Sequence, residues 1–295
     1  MSSTTSEPDF VDCTKATCTV ESSVYGYYPS AAFTYLFIAI FSLSAAAHAF
    51  QGLKSRSWSF MAVLTVGCLL ETIGYVGRAL LRRDPFDVAY LSIQLICITT
   101  GPAFLAAGIY LTLKHLIIVY GAQFSRLAPK WYTWIFISAD ITSILIQAIG
   151  AALAASANDP APGNTTMMVG LGFQVFTLAI FGIMAVDVWA QIRRHRGEFN
   201  ESAKGLRESR RFKLMLGSLI IAYTAIQIRC IYRIVEMAGG WANSIMQDQP
   251  SFIVLESVMI TVYVVVLNIG HPGFMFAQAK KVGSKDNEGS EMAEA

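Results

Sequence analysis

The sequence is poor in charged residues. Asp, Glu, Lys and Arg make up 14% of its 295 residues, whereas a soluble globular protein carries about 25%. Hydrophobic residues make up 54% and the formal net charge is only +2. The polar groups are too few to cover a water-facing surface of this size, and the charge balance does not suit binding to nucleic acid. The composition therefore excludes a soluble domain and a disordered chain, and it leaves a polytopic membrane protein.

The residues that enzyme and cofactor sites need are also scarce. Five cysteines are too few for a disulfide scaffold, and the four histidines are scattered rather than grouped like the ligands of a zinc hydrolase. The sequence contains neither a G-x-x-x-x-G-K-[ST] phosphate loop nor a G-x-S-x-G nucleophile motif. The last apolar run has no lysine to bind retinal. We therefore expect no enzyme activity, no cofactor and no metal site.

Seven apolar runs are long enough to cross about 30 Å of hydrocarbon as helices. They are too long, and alternate too little, for the strands of a membrane barrel. The sequence predicts an all-α fold, a seven-transmembrane helix bundle over residues 29–277, with an extracellular tail at 1–28 and a disordered cytosolic tail at 278–295. The predicted spans are Pro29–Phe50, Trp58–Leu81, Val88–Leu113, Trp131–Ala155, Met167–Ala190, Phe212–Met237 and Phe252–Ala277.

Basic residues are distributed unevenly between the two sides of this bundle. One side has 16 of the 22 Lys and Arg residues, the other side has three, and three lie within spans. Short cytosolic loops are the ones enriched in Lys and Arg, so we predict an N-terminus outside and a C-terminus in the cytosol. We place the protein in the plasma membrane, with an internal membrane as the alternative.

Two features of the predicted outer side agree with this orientation. Asn164 begins an Asn-Thr-Thr glycosylation acceptor in a loop predicted to lie outside, while the acceptor at Asn200 falls in the basic cytosolic loop and should stay unmodified. Cys13 and Cys18 lie in the N-terminal tail, where either a disulfide between them or two free thiols is compatible with the sequence. Both acceptor and disulfide are predictions to be tested.

Placing ionisable and amide side chains in hydrocarbon costs free energy, so each one within a span needs a physical explanation. The predicted topology places most of them in the outer half of the bundle, on four different spans, and it places Asp140 deeper. The candidate ligand-binding residues are Glu71, Arg78, Gln94, Asp140, Gln147, Arg229, Arg233, Glu236 and Glu256.

Two interpretations of this set remain open. In the first, the charges only pair with one another: Glu71 or Glu256 neutralises Arg229, while Arg78 and Arg233 extend to the outer interface. Arg229 is the partner that best matches Glu71 in depth. In the second, they line a site for an amphipathic lipid: Glu71 and Glu256 meet an amine, Arg229 and Arg233 meet a phosphate, a hydroxyl or a carboxylate, and Asp140 and Gln147 lie along the path. The predicted partners are membrane lipids or amphipathic small molecules rather than nucleic acid, and protein partners are unknown.

Several short motifs together point to a known family. The most specific are Glu71–Arg78 in the second span, with the sequence ETIGYVGR, and Arg229–Glu236 in the sixth, with the sequence RCIYRIVE. Through these the sequence resembles the fungal RTA-like family, also called the lipid-translocating exporters, over about residues 25–277. Further matching pieces are Tyr25–Ser30, Gly101–Ala103, Asp140 with Gln147, Gly172–Gln174, and Glu256 with His271–Gly273.

The resemblance implies a multi-pass protein that translocates or exports lipids such as sphingoid long-chain bases. It also implies resistance to aminocholesterol-like and other membrane-active toxic compounds. Because the implied topology is similar to that of a seven-helix receptor, a sensor that binds a lipid or toxicant and signals through the basic loop 191–211 is the alternative. A structural membrane protein with internally paired charges is a third class.

Overall fold

The computed structural model describes residues 14–120, 128–156, 161–194 and 209–273, and these form a bundle of long helices. Seven of the helices are long and apolar enough to cross a membrane. This confirms the all-helical, membrane-spanning fold. The helices are α1 Ala31–Ser55, α2 Trp58–Leu81, α3 Val88–Tyr120, α4 Pro129–Ser156, α5 Ala161–Arg194, α6 Arg210–Ala238 and α7 Gln249–Ile269.

The helices form a ring, and α3 is the most central of them. Each helix packs against its neighbours in sequence, and α1 closes the ring against α7. The third helix also contacts α5 and α6, and two thirds of its most apolar window is buried, against less than half for every other span. A residue on α3 can therefore contact side chains from most of the bundle.

The helices α4 and α5 pack unusually closely because glycines lie at their interface. A Cβ at Gly150 would lie 2.5 Å from the backbone nitrogen of Met167, and one at Gly170 would lie 2.7 Å from Cγ of Gln147. Small residues let helix backbones approach closely inside a membrane, where the hydrophobic effect does not drive helices together. The pair forms one wall of the bundle.

One end of the bundle is covered by two segments that we call the cap, residues 20–30 before α1 and 239–248 between α6 and α7. Tyr25 and Met246 are buried there and pack in a cluster with Leu81 and Met167. Arg82 donates a hydrogen bond of 2.8 Å to the carbonyl of Pro29. The N-terminal segment from Val20 onward is thus folded onto the bundle, at the end that the basic residues predict to face outside.

Four predicted boundaries differ from the helix bounds by five residues or more: the ends of the first, third and seventh spans and the start of the fifth. Regular helix in α7 ends at Ile269, not Ala277, because Gly270 and Pro272 follow: glycine commonly terminates a helix, and proline removes a backbone donor. The fifth span begins at Ala161, so Asn164 lies in the first turn of α5 and not in a loop. Pro162 stands in that first turn, where its missing N–H costs nothing.

Candidate functional site

Seven of the nine candidate residues lie in the capped half of the bundle, on four helices. Glu71 and Arg78 are on α2, Gln94 is near the start of α3, three residues are on the last part of α6, and Glu256 is near the start of α7. All seven are at most 3% exposed. Their burial is a property of the helix bundle itself, so each charge needs a partner within the protein or from a ligand. The three residues on α6 are Arg229, Arg233 and Glu236.

Arg229 is paired with Glu256 and not with Glu71. Its Nε and Nη2 atoms donate to Oε1 of Glu256 at 2.8 and 2.6 Å. The same Nη2 donates to the carbonyl of Ile98 at 2.6 Å. The pairing of Glu71 with Arg229 that depth suggested is therefore wrong, although the two side chains remain within electrostatic range of each other.

The carbonyl of Ile98 is free to accept from Arg229 because of Pro102, four residues later on α3. Proline has no N–H, so the hydrogen bond that would close this turn of helix cannot form. In a membrane bundle a freed carbonyl must find a donor on a neighbouring helix. Arg229 thus ties α6 to both α3 and α7.

Arg233 and Glu236 form a second buried ion pair within α6. Nη1 of Arg233 lies 2.6 Å from Oε2 of Glu236, at a spacing of three residues. The backbone carbonyl of Glu236 accepts a hydrogen bond of 2.6 Å from Asn243 in the cap. The pair is therefore anchored at the point where α6 meets the cap.

Glu71 is left without such a partner. Its Oε1 atom is buried and forms no hydrogen bond within the described residues, and the carboxylate packs against Gly101, where a Cβ would lie 2.7 Å from Oε1. The residue stands a little past the middle of α2. Placing a charged carboxylate at such a depth costs about 2.5–3.5 kcal/mol of free energy. Glu71 is therefore either protonated or paired with a cation from a ligand.

Arg78 lies two turns from Glu71 on the same face of α2, inside an aromatic cage. Its guanidinium carbon lies 3.9 Å from the ring centre of Phe252, 5.2 Å from that of Tyr25 and 5.8 Å from that of Tyr27. Nη2 donates to the hydroxyl of Tyr27 at 2.8 Å. Burial raises the pKa of both tyrosine hydroxyls above its ordinary value, although Arg78 opposes the shift.

A cleft opens beside Arg78, between α1, α2 and α7, and Tyr75 closes its floor. The cleft is narrow: its volume is about 10 Å³, which is room for about one water molecule. The hydroxyl of Tyr75 donates to Oγ of Ser257 at 2.5 Å, and Tyr75 lies one turn from Glu71 toward the cap. Ser257 belongs to a π-helical stretch of α7, Phe252–Val258, a distortion that is frequent at functional sites.

The remaining candidates have different surroundings. Gln94 donates to the hydroxyl of Tyr25 at 2.9 Å and so binds the cap to α3. Gln147 donates to Ser143 at 2.8 Å and to Gln174 of α5 at 3.3 Å, within the α4–α5 wall. Asp140 is buried near Tyr110 of α3, and its Oδ2 atom has no hydrogen-bond partner within the described residues. Gln147 and Asp140 are thus not part of the cluster at the capped end.

Three other predictions concern modification and metals. Cys18 is disulfide-bonded, whereas Cys13 lies outside the described residues, so their pairing stays a prediction. Asn164 is half-buried, and its glycosylation is likewise untested. The acceptor at Asn200 and most of loop 191–211 lie outside the described residues. In the part of the chain that is described, no group of three His, Cys, Asp or Glu residues could hold a metal ion.

The sequence did not predict the cage of Arg78. Tyr25 and Tyr27 stand before the first span, and nothing in a one-dimensional pattern brings them to the end of α2. Phe252 reads as an ordinary apolar residue of the last span. The available signal was an arginine near a span end with no acidic residue one turn away on its own helix.

Comparisons with known proteins agree with the resemblance found in the sequence. A family model described as "RTA1 like protein" matches residues 64–279. The chain is 31% identical to the sphingoid long-chain base transporter RSB1 of Saccharomyces cerevisiae strain Lalvin EC1118, over 86% of this chain and 75% of that protein. It is 27% identical to protoporphyrin uptake protein 1 of S. cerevisiae, over 69% of this chain and 66% of that protein. It is 24% identical to S. cerevisiae protein RTM1, over 75% and 70%.

Proposed function

The chain belongs to the RTA1-like family, and from this premise we propose that it binds an amine-bearing amphipathic lipid and translocates or exports it. The lipid resembles a sphingoid long-chain base, and its removal from the membrane gives resistance to membrane-active toxic compounds. Two relatives have names that state a role, a sphingoid long-chain base transporter and a protoporphyrin uptake protein. We place this activity in the plasma membrane.

The observation that carries the proposal is the carboxyl group of Glu71, which has no ion-pair partner among the residues that the structure describes. The two nearest buried arginines on α6 are already neutralised, Arg229 by Glu256 and Arg233 by Glu236. A buried carboxyl group with no cation of its own can bind an ammonium group, which supplies both the charge and the hydrogen-bond donors. Glu256 can also accept a hydrogen bond from the amine, since its Oε2 atom has no hydrogen-bond partner within the described residues.

The cleft between α1 and α7 marks the proposed route, and it must widen to admit a lipid. Its walls include Phe33 and Phe37 of α1 and Ile253 of α7, which suit an alkyl chain. For the amine to reach Glu71, the hydrogen bond between Tyr75 and Ser257 must open. Movement of the lipid between leaflets is then a sequence of steps down the α2 face, past Tyr75 to Glu71.

The experiment measures uptake and release of a labelled long-chain base by liposomes containing the purified protein. The matched ligand is the same base with its amine acetylated, which keeps the alkyl chain and removes the charge. We expect the wild type to move the free base at least tenfold faster than the acetylated one. We expect Glu71→Gln, which changes one oxygen to nitrogen, to lose that preference while folding normally.

A second variant tests the same contact from the other side. Gly101→Ala places a methyl group against Glu71 without removing its charge, so transport should fall while the ligand preference persists. Asp84→Asn, a neutralised carboxylate in the α2–α3 connection, serves as the control and should transport like the wild type. Equal transport of both ligands by the wild type, or unchanged transport by Glu71→Gln, would contradict the proposal.

A further inference from the structure

Arg78 differs from the other two buried arginines of the capped half. Arg229 and Arg233 each lie 2.6 Å from a carboxylate oxygen, whereas no carboxylate of the described residues lies within 4 Å of Arg78. Its own helix offers no acidic residue one turn away: Gly74, Tyr75 and Arg82 stand there. The side chain is 2% exposed, so water does not solvate the charge.

The cage leaves Arg78 charged and incompletely bonded. The ring of Phe252 attracts the cation from 3.9 Å but cannot neutralise it. Tyr27 takes one hydrogen bond through its hydroxyl. The other terminal nitrogen, Nη1, is buried and has no partner within the described residues. A buried guanidinium with an unpaired terminal nitrogen is suited to an oxyanion, which accepts charge-assisted hydrogen bonds.

The position of the cleft indicates where the anion comes from. Arg78 lies in the last turn of α2, Thr34 in the first turn of α1 and Gln249 at the start of α7, and all three line the cleft. The site therefore lies within about 10 Å of the helix ends, which is the depth of lipid head groups. The neighbouring Phe33 is 45% exposed on the outer surface of the bundle, so the cleft borders the lipid.

We propose that Arg78 binds the phosphate group of an anionic lipid, whose acyl chains lie against Phe33 and Ile253 at the seam between α1 and α7. Basic side chains between transmembrane helices bind lipid head groups in this way. The head-group contact is distinct from that of the amine site, because it uses the opposite charge, a different residue and a ligand that needs no amine, although both ligands lie in the same cleft. The chain then has a binding site for a phosphate-bearing lipid at its capped end.

The test measures binding of dioctanoyl phosphatidic acid to the purified full-length protein in maltoside micelles, which contain no phosphate. Dioctanoylglycerol, which has the same chains without phosphate, is the matched ligand. We expect Arg78→Gln to weaken phosphatidic acid binding at least tenfold, and dioctanoylglycerol to bind at least tenfold more weakly than phosphatidic acid. Arg83→Gln, at an exposed arginine beyond the end of α2, should bind within twofold of the wild type.

A second variant covers the case in which Arg78→Gln fails to fold. Ile253→Trp fills the cleft from a half-buried position on α7 and keeps Arg78, so it should also weaken binding tenfold. Unchanged binding in a folded Arg78→Gln or in Ile253→Trp, or equal binding of dioctanoylglycerol, would overturn the proposal. If millimolar inorganic phosphate displaced the lipid completely, the assignment to a lipid would be wrong.

The two experiments distinguish failure of the amine-site proposal from failure of the phosphate-site proposal. Phosphatidic acid carries no amine, so its binding can persist when Glu71→Gln abolishes movement of the long-chain base. Conversely, transport of the base can persist when Arg78→Gln abolishes binding of phosphatidic acid.

Discussion

At the scale of single residues, Pro102 and Arg229 form one unit although they lie on different helices. The proline leaves the carbonyl of Ile98 without a backbone donor. The guanidinium of Arg229 donates one hydrogen bond to that carbonyl and two to Glu256. Removing one member of such a unit leaves either a charge or a carbonyl without a partner in the interior. The cost of each substitution therefore depends on which other members are present.

We expect Arg229→Met to lower the free energy of unfolding by about 3–5 kcal/mol, because Glu256 then remains as an uncompensated buried carboxylate. The double variant Arg229→Met with Glu256→Met should recover much of that loss, since no charge is left. Adding Pro102→Ala should recover more by restoring the backbone partner of Ile98. Thermal unfolding in detergent checks all three, and a double variant as unstable as Arg229→Met would contradict the assignment of the pair.

The stability of the opposite end should depend on pH through His271. Burial lowers the pKa of His271 to about 4, and the ring faces that of His48 at 5.8 Å. Between about pH 6.5 and pH 4, His271 is protonated in the unfolded chain but not in the folded protein. The free energy of unfolding therefore falls as the pH is lowered through this range. The melting temperature of His271→Gln should fall less over the same range than that of the wild type, and parallel curves would contradict this role.

At this scale the sequence predicted which residues are buried in the bundle but not how they pair. Depth along a span follows from counting residues, and it correctly placed Glu71, Arg229 and Glu256 in the same half. Pairing depends on the rotation of each helix about its own axis, which depth does not determine. Glu256 lies within the π-helical stretch Phe252–Val258, which changes that rotation locally.

At the scale of helices, apolar runs predicted the existence of all seven spans and the bounds of Trp58–Leu81. They did not predict how far α5 extends, because helix continues through the small and polar residues 161–166, which carry no apolar signal. They also overran the end of α7, where the apolar residues continue past Ile269 but Gly270 and Pro272 stop the regular helix. Hydrophobicity thus marks the membrane-embedded part of a helix, while backbone chemistry sets its ends.

The glycines at the α4–α5 interface give a prediction at this scale. Gly150→Ala should destabilise the protein by about 1–3 kcal/mol, because the new methyl group would lie 2.5 Å from the backbone nitrogen of Met167. Gly172→Ala is the matched control on α5, where a Cβ meets no atom within 4 Å. This control should be stabilised by up to about 1 kcal/mol, since alanine favours helix. Equal melting temperatures for the two variants would show that the interface is looser than described.

At the scale of the whole molecule, orientation in the membrane is the property that the helices alone do not determine. The excess of basic residues on one side predicts that the cap faces outside. A glycosidase-sensitive mass shift should then vanish in Asn164→Gln and persist in Asn200→Gln. An epitope at residue 290 should be reached by antibody only after the cells are permeabilised, and labelling on intact cells would reverse the orientation.

The cap has a consequence for the order in which the molecule is assembled. Tyr25 and Tyr27 are synthesised before any span, yet they reach their final contacts only against α2, α3 and the segment that leads into α7. Phe252, the third wall of the cage, is made more than 220 residues later. The arginine cage therefore cannot close until the last helix has entered the membrane. A chain stalled or cut before α7 would display an open, unshielded Arg78, a feature by which cellular quality control could tell an unfinished copy from a complete one.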